Sequence, residues 1–471
     1  MGLLKIFNIF LPLEERNKIL YEFNNNTFEY NQNKLYNVEF SKVAKMNPNK
    51  CAIICNNIKY SYEEIDEMSN SLAHLLRKQS IQRNVIFPVI SERSHYYVIA
   101  SLSIMKSGAA FLPIDSDFPE ERKKYIIKDV NTKIILYFIT NEKNKSKFIN
   151  EDIDKYNLNL HNYKENRNDI ENINVSSDTC YSLFISGTTV KPKDVLISHN
   201  SLINFIYYSQ SIKGYNNLDE YINPNLIVEL NEKYNIEFII STPSKIINYL
   251  SNSTFKISIS KIKVLVFGGE NINREILDNF IKDTNAVLYN AYGPNETTLM
   301  VSIIKCKNSI IQGKKYFKIT IGKPSSNCKI YILDKYLNSV SISVIGEIYI
   351  SGNGVGKGHL NRKQLTNEKF IDCPFINSNS NKGKSMKMYK FGDLGKWTEN
   401  SEIECLGRID FQVKIHGQRI ELIEIENLIK EINDIEYCVL LEKINRNNND
   451  IYLIAYYISK TNITSKQIRE L

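Results

Sequence analysis

The run Tyr181-Ser-Leu-Phe-Ile-Ser186-Gly187-Thr188-Thr189-Val190-Lys191-Pro192-Lys193 leads an apolar strand pattern into small hydroxyl and glycine residues, then two lysines. Small residues let backbone N–H groups approach phosphate oxygens, and the lysines balance the charge. A second run, Val264-Leu-Val-Phe267-Gly268-Gly269-Glu270, is a strand entering a glycine pair. A third is Asn290-Ala291-Tyr292-Gly293-Pro294-Asn295-Glu296-Thr297. Here Gly and Pro make a tight turn, Tyr292 offers a face for a base, and Glu296 is an oxygen ligand suited to magnesium. In Tyr389-Lys390-Phe391-Gly392-Asp393 a carboxylate held by a glycine turn suits the two hydroxyls of a ribose. The last run, from Gly407-Arg408-Ile409-Asp410 through Lys414 to Glu426, is a basic strand feeding an acidic helix start. Taken singly, each run is also an ordinary turn or strand end.

The elements that must hold these groups are those of an α/β protein. Cys51–Cys55 and Ile58–Tyr60 read as strands, the first of them buried. Ser61, ahead of Glu63 and Glu64, marks a helix start. That helix carries Ile65, Met68, Leu72, Ala73 and Leu76 on one face. Val85–Val89, Lys133–Phe138 and Ile262–Phe267 are further apolar strands, and Tyr96–Lys106 is a helix ending at Ser107-Gly108. Alternation of this kind predicts parallel sheets covered by helices. After about residue 320, short strands at Lys329–Leu333, Gly346–Ile350 and Met386–Lys390 predict a small β-rich unit. Residues 377–384 and 445–450 read as loops.

At 471 residues the chain is too long for one simple core. Its 42% hydrophobic and 24% charged residues are those of a globular protein. The net charge of +8 is spread along the chain, with Lys interleaved among Glu and Asp, which argues against a nucleic-acid groove. Eight scattered cysteines show neither zinc spacing nor a secreted framework, so reduced thiols and a cytoplasmic location are expected. The segment Met1–Leu13 is too short to span a bilayer, and no membrane partner is expected.

In this order, the runs resemble the successive core motifs of AMP-forming adenylating enzymes. The branch most similar is the adenylation domain of nonribosomal peptide synthetases. The likeness extends from Glu15-Arg16, through Met105-Lys106-Ser107-Gly108-Ala109 and Gly346–Asn361, to the basic run at 407–426. It implies a large N-terminal domain over 1–409 of parallel sheets flanked by helices with a small β-rich subunit, followed by a truncated α+β lobe over 410–471. It implies ATP or AMP and magnesium as cofactors, and an amino acid or other carboxylic acid as substrate. Carrier and condensation domains, possibly on other chains, would be partners, the carrier supplying a phosphopantetheine thiol. Ser186, Gly187, Thr188, Thr189 and Lys191 match the phosphate loop. Gly268, Gly269, Glu270, Asn290, Ala291, Tyr292 and Gly293 line the nucleotide. Asp393 takes the ribose, Arg408 approaches the nucleotide, and Asp410 is the hinge. Thr188, Lys191, Glu296 (the magnesium ligand) and Lys414 are the catalytic set.

Several positions depart from the pattern. Val190 and Asp194 stand where it has glycines, Phe391 where it has threonine and Ile423 where it has glycine. A β-branched residue bars the positive φ that glycine allows. Asp194 would set a like charge near a polyphosphate, a contact costing about 4 kcal/mol at ~4 Å. The stretch between His199 and Thr242 is short, and the aspartate that would hold a substrate amino group is not recognisable there. The lysine of the pattern's last motif would fall beyond Leu471. Together these predict a degenerate adenylation domain. The alternatives are a non-catalytic nucleotide-binding or interaction module of the same fold, or an acyl-CoA ligase relative.

Overall fold

The computed structural model describes residues 11–79, 82–141, 153–185, 192–209, 228, 231–234, 236–250, 252–270, 272, 277, 284–306, 319–375, 386–409, 412–415, 418–432, 434–444, 451–461, 463 and 468. The expected loops at 377–384 and 445–450, and residues 210–227 of the shortened stretch between His199 and Thr242, lie outside these residues.

Helix Tyr62–Lys78 starts where Ser61 and Glu64 bond reciprocally, each side chain to the other's backbone N–H. Ile65, Leu72, Ala73 and Leu76 on its face are buried, with Met68 packed at their edge. Helix His95–Ser107 ends at Gly108, whose φ of +107° closes the last turn without a Cβ penalty. Cys51–Cys55 corrects the expected buried strand. Among the described residues it pairs with Ile58–Ser61 alone, in a two-stranded hairpin, and Cys51 is exposed. Its apolar run resembles a core strand, but its residues are exposed or half-buried. The strand expected at Val85–Val89 runs Ile86–Ser91, leaving Val85 exposed.

Three larger sheets carry the molecule. The first has six strands in the order Asp154–Asn157, Ile134–Phe138, Ile86–Ser91, Ala110–Asp115, Thr179–Ile185 and Lys193–Ser198. All its pairs are parallel except the last, in which Ile185 opposes Lys193. The second sheet places Val264–Phe267 between Phe238–Ser241 and Val287–Tyr292, all parallel. Ser302–Lys305 and Lys323–Pro324 then close it in antiparallel fashion. The third, wholly antiparallel, is the expected β-rich unit: Cys328–Leu333, Gly346–Gly352, Lys387–Trp397 and Phe370–Asp372, with Ile403–Arg408 following Phe370–Asp372 along the same edge of Lys387–Trp397. The first two sheets thus have the expected parallel strands with antiparallel strands at one edge, and the short connection from Ile185 to Lys193 fits an antiparallel return.

A common apolar cluster runs from Ile65 and Leu136 of the first layer to Tyr331, Tyr389 and Trp397 of the third sheet. After 411 come a hairpin, Gln412–Ile415 with Gln418–Glu421, the helix Leu422–Lys430, and a second hairpin, Ile435–Ile444 with Ile451–Ser459. The last two pack a small core of their own around Leu422, Ile429, Cys438 and Leu440. Among the described residues no helix is long and apolar enough to cross a membrane.

Candidate functional site

Strands Val264–Phe267 and Val287–Tyr292 lie side by side and parallel, with Phe267 opposite Asn290. Gly268–Glu270 and the end of Asn290–Tyr292 therefore emerge at the same edge of the sheet. That carboxyl edge is where open α/β sheets present their ligand-binding turns. Gly269 takes a φ of +82°. A side chain on Gly293 would run into the Leu299 carbonyl, so this turn requires glycine. Asn290 is buried and donates from Nδ2 to the Thr320 carbonyl at 3.0 Å. Glu270 accepts from the Ser244 N–H at 3.0 Å and from the Ser244 hydroxyl at 2.8 Å, which ties it to the start of helix Pro243–Leu250.

The third sheet supplies Asp393 at an irregularity. Between the pairs Tyr349↔Lys390 and Glu347↔Leu394, three residues of one strand oppose one of the other. Gly392 sits in this bulge at φ +91°. Bulges re-aim side chains, and this one turns Asp393 toward the end of the second sheet. Its Oδ2 accepts from the Tyr292 hydroxyl at 2.8 Å, and its Oδ1 accepts from Arg408 Nη1 at 3.0 Å. Arg408 is also the cross-strand partner of Asp393. Its second nitrogen donates to the Phe391 carbonyl at 3.2 Å, and its guanidinium lies 5.1 Å from the Phe391 ring centre. Phe391 meets Tyr292 edge to face at 5.8 Å. Burial, and then the Asp393 charge, push the Tyr292 phenol well above its ordinary pKa, so it is a neutral donor.

Glu296 lies in the short turn Asn295–Thr297 and is fully buried. Its Oε1 accepts from the Tyr389 hydroxyl at 2.6 Å, and Lys193 Nζ stands 4.0 Å away. The sequence reading gave Tyr389 no role, and it placed Lys193 with the phosphate-balancing lysines, whereas its ammonium is buried beside Glu296. The signal was available for Tyr389, which opens the same run as Asp393. Lys193 joins Glu296 only because the third run meets the strand that leaves the phosphate-loop run. Among the described residues no three His, Cys, Asp or Glu side chains gather as a metal cluster.

Asp194 corrects the expected charge at the phosphate loop. It is a strand residue, fully buried, and its Oδ1 accepts from the Leu360 N–H at 2.8 Å. Oδ2 accepts from the Ser182 hydroxyl at 3.2 Å, and Arg362 is 3.8 Å away. Burial raises its pKa to about 6, against the pull of those donors. The carboxylate is spent inside the fold, between the first sheet and the His359–Arg362 segment. Ser186, Gly187, Thr188, Thr189, Val190, Lys191 and Asp410 lie outside the described residues. Lys414 belongs to the strand Gln412–Ile415, but its side chain is outside them too.

The model of the family "AMP-binding enzyme" matches residues 40–224 and 214–360. Bacitracin synthase 3 of Bacillus licheniformis is 32% identical over 97% of this chain, and tyrocidine synthase 3 of Brevibacillus parabrevis is 29% identical over 97%. The chain spans 7% of the length of each of those two proteins. Among solved structures, the artificially fused adenylation-PCP di-domain NpsA-ThdA from Klebsiella oxytoca superposes with a TM-score of 0.80 at 18% identity, covering 94% of this chain and 91% of that one. Klebsiella oxytoca NpsA in complex with 3-hydroxyanthranilyl-AMSN gives a TM-score of 0.67 at 17% identity, covering 93% and 91%. The fold is thus that of a peptide-synthetase adenylation domain, and with its matched residues reaching from 40 to 360, the chain belongs to the AMP-binding enzyme family.

Proposed function

We propose that this chain is an adenylation domain of nonribosomal peptide synthesis: it binds ATP and directs a carboxylate of an amino acid, or of a related acid, onto the α-phosphorus. The carboxylate oxygen forms the new P–O bond as the bond to pyrophosphate breaks, leaving an acyl adenylate. One observation carries this reading. Separate strands bring Tyr292, Asp393 and Arg408 into one hydrogen-bonded group, at the sheet edge where Gly268–Glu270 also emerges. A purine ring and a ribose diol are the chemistry that an aromatic ring beside a carboxylate recognises.

Each group has a task in this reading. Asp393 and Arg408 hold the ribose, and Gly268 to Gly293 line the base. Glu296 offers one carboxylate oxygen to magnesium, which suits an ion that keeps most of its other positions for water and phosphate. When bound, the ion neutralises phosphate charge. Lys193 holds a buried cation beside Glu296. Residues 1–409 form the nucleotide-binding domain and 410–471 part of a mobile lobe, turning at Asp410 and carrying Lys414. The acceptor is a phosphopantetheine thiol on a carrier domain, and the setting is cytoplasmic.

The first half-reaction is weak, because Val190 replaces a loop glycine and the amino-group aspartate is missing from the stretch before Thr242. The test is ATP–pyrophosphate exchange across the common amino acids, alongside calorimetric titration with AMP and ATP. Slow exchange with AMP binding is expected. Absence of AMP binding would overturn the reading. A second reading, a non-catalytic nucleotide-binding module, is favoured by the internal occupation of Asp393. AMP binding with no exchange for any amino acid would select it.

A further inference from the structure

The sequence assigns Tyr292 a ring and nothing more. In the fold its hydroxyl has a partner of its own, Asp393 Oδ2 at 2.8 Å, while Arg408 takes Oδ1 at 3.0 Å. Both oxygens that would accept from a ribose diol are therefore already accepting from protein. The pair is well enclosed: Asp393 is 4% exposed and Tyr292 8%. Phe391 fixes it from the side, edge-on to the Tyr292 ring and beneath the Arg408 guanidinium.

We propose that the Tyr292 hydroxyl is a built-in competitor of the ribose, holding the Asp393 oxygen that a nucleotide hydroxyl must take and thereby setting nucleotide affinity. The proposal rests on the adenosine reading of this station. Its physical basis is the asymmetry between making and losing a buried hydrogen bond. Without the phenol hydroxyl, Oδ2 of the empty protein keeps the long Cys405 thiol contact at 3.9 Å but loses its short donor, and weakening the bonding of a buried acceptor is costly. A ribose hydroxyl restores the donor only when nucleotide is bound. Trimming a contact residue should therefore strengthen binding, the reverse of what removing a contact ordinarily does. The ring itself remains, so any face it offers the base is kept.

The experiment is calorimetric titration of the full chain and its Tyr292→Phe variant with AMP and with 2′,3′-dideoxy-AMP, which lacks the diol. Thermal melting of both proteins accompanies it. The variant is expected to bind AMP about tenfold tighter, within the range that one buried hydrogen bond to a charged group supports. Its affinity for the dideoxy nucleotide should be unchanged. Equal or weaker AMP binding by a folded variant overturns the proposal. So does an equal gain for both nucleotides, which would be general loosening. If neither protein prefers AMP to its dideoxy analogue, Asp393 is no ribose ligand, and the adenosine reading falls together with the proposal. If the unaltered chain prefers AMP and the variant gains nothing, only the proposal falls. A second measurement covers a variant that does not fold. With 3-fluorotyrosine in place of Tyr292, the fluorine resonance should move on adding AMP and stay on adding the dideoxy nucleotide. A resonance indifferent to AMP overturns the proposal.

Discussion

The protein buries carboxylates in two different ways. Asp66, on helix Tyr62–Lys78, sits among three helices. Lys106 gives all three ammonium hydrogens to this corner: 2.6 Å to Asp66 Oδ1, 3.1 Å to the Asp66 carbonyl and 2.7 Å to Asn70 Oδ1. Ser41 adds a fourth bond at 2.6 Å. Glu296 and Asp393 are as deeply buried, but their partners include phenol hydroxyls reaching over from other strands, and a cation 3.0 or 4.0 Å off. The first arrangement is saturated by a bonded ion pair within one layer. The second adds to each carboxylate a neutral phenol donor from another run of the chain, the kind of partner that the proposed nucleotide or metal ion would replace. Both occur in motifs that look alike on paper, since Lys106 lies two residues before Gly108 and Asp393 directly follows Gly392. What separates scaffold from site is how the buried charge is satisfied.

The contrast is sharpest in stability. Lys106→Met leaves the Asp66 carboxylate buried without its cation, and should cost about 3–5 kcal/mol in urea unfolding. Adding Asp66→Leu should restore much of that, because a buried ion pair is commonly replaceable by apolar side chains. A small loss for Lys106→Met would erase the distinction drawn above.

Two other buried groups oppose each other in pH dependence. His199 is fully buried, and desolvation lowers its pKa to about 4. Between about pH 6.5 and 4 the unfolded chain binds its proton and the folded one does not, so stability falls as pH falls, by about 3 kcal/mol over the window. Asp194, raised to about 6, does the reverse. Between about pH 6 and 3.8 the folded state binds the proton, and stability rises by about 3 kcal/mol as pH falls. The two nearly cancel in the unaltered chain. Relative to it, Asp194→Asn should steepen acid destabilisation between pH 6 and 4, and His199→Gln should reduce it. Denaturant midpoints across that range check both signs.

Glu296→Gln sharpens the other side of the comparison. It keeps the shape and an acceptor for Tyr389 while removing the charge. ATP binding should lose its magnesium dependence and weaken about tenfold to a hundredfold, the scale of a lost charged contact. AMP binding and urea midpoint should change far less than they do in Lys106→Met. The smallest effect lies outside both stations: Ser61→Ala removes a helix cap and should cost about 1 kcal/mol by the same unfolding assay.

The helix after Ser61, the Gly108 terminus and the β-rich unit were legible because their signals are local: a cap pair, a C-terminal glycine, strand-length apolar runs. The runs that carry the candidate site were legible as motifs. Their arrangement was not. Tyr389 and Glu296 are far apart in the chain, and Asp194 meets Leu360 and Arg362 only through the packing of the first sheet on a distant turn. Cys51–Cys55 failed for the opposite reason. Its composition suits a core strand, but composition does not say whether a second layer covers it.

The hairpin that pairs Ile185 with Lys193 has one further consequence. Lys193 and Asp194 are both buried, and as neighbours in a strand they point to opposite faces. The ammonium approaches Glu296, and the carboxylate approaches Arg362. A slip of one residue would bring either Asp194 toward Glu296, anion against anion, or Lys193 toward Arg362, cation against cation, according to its direction. The pair thus works as a keyed joint, admitting only one alignment of the returning strand.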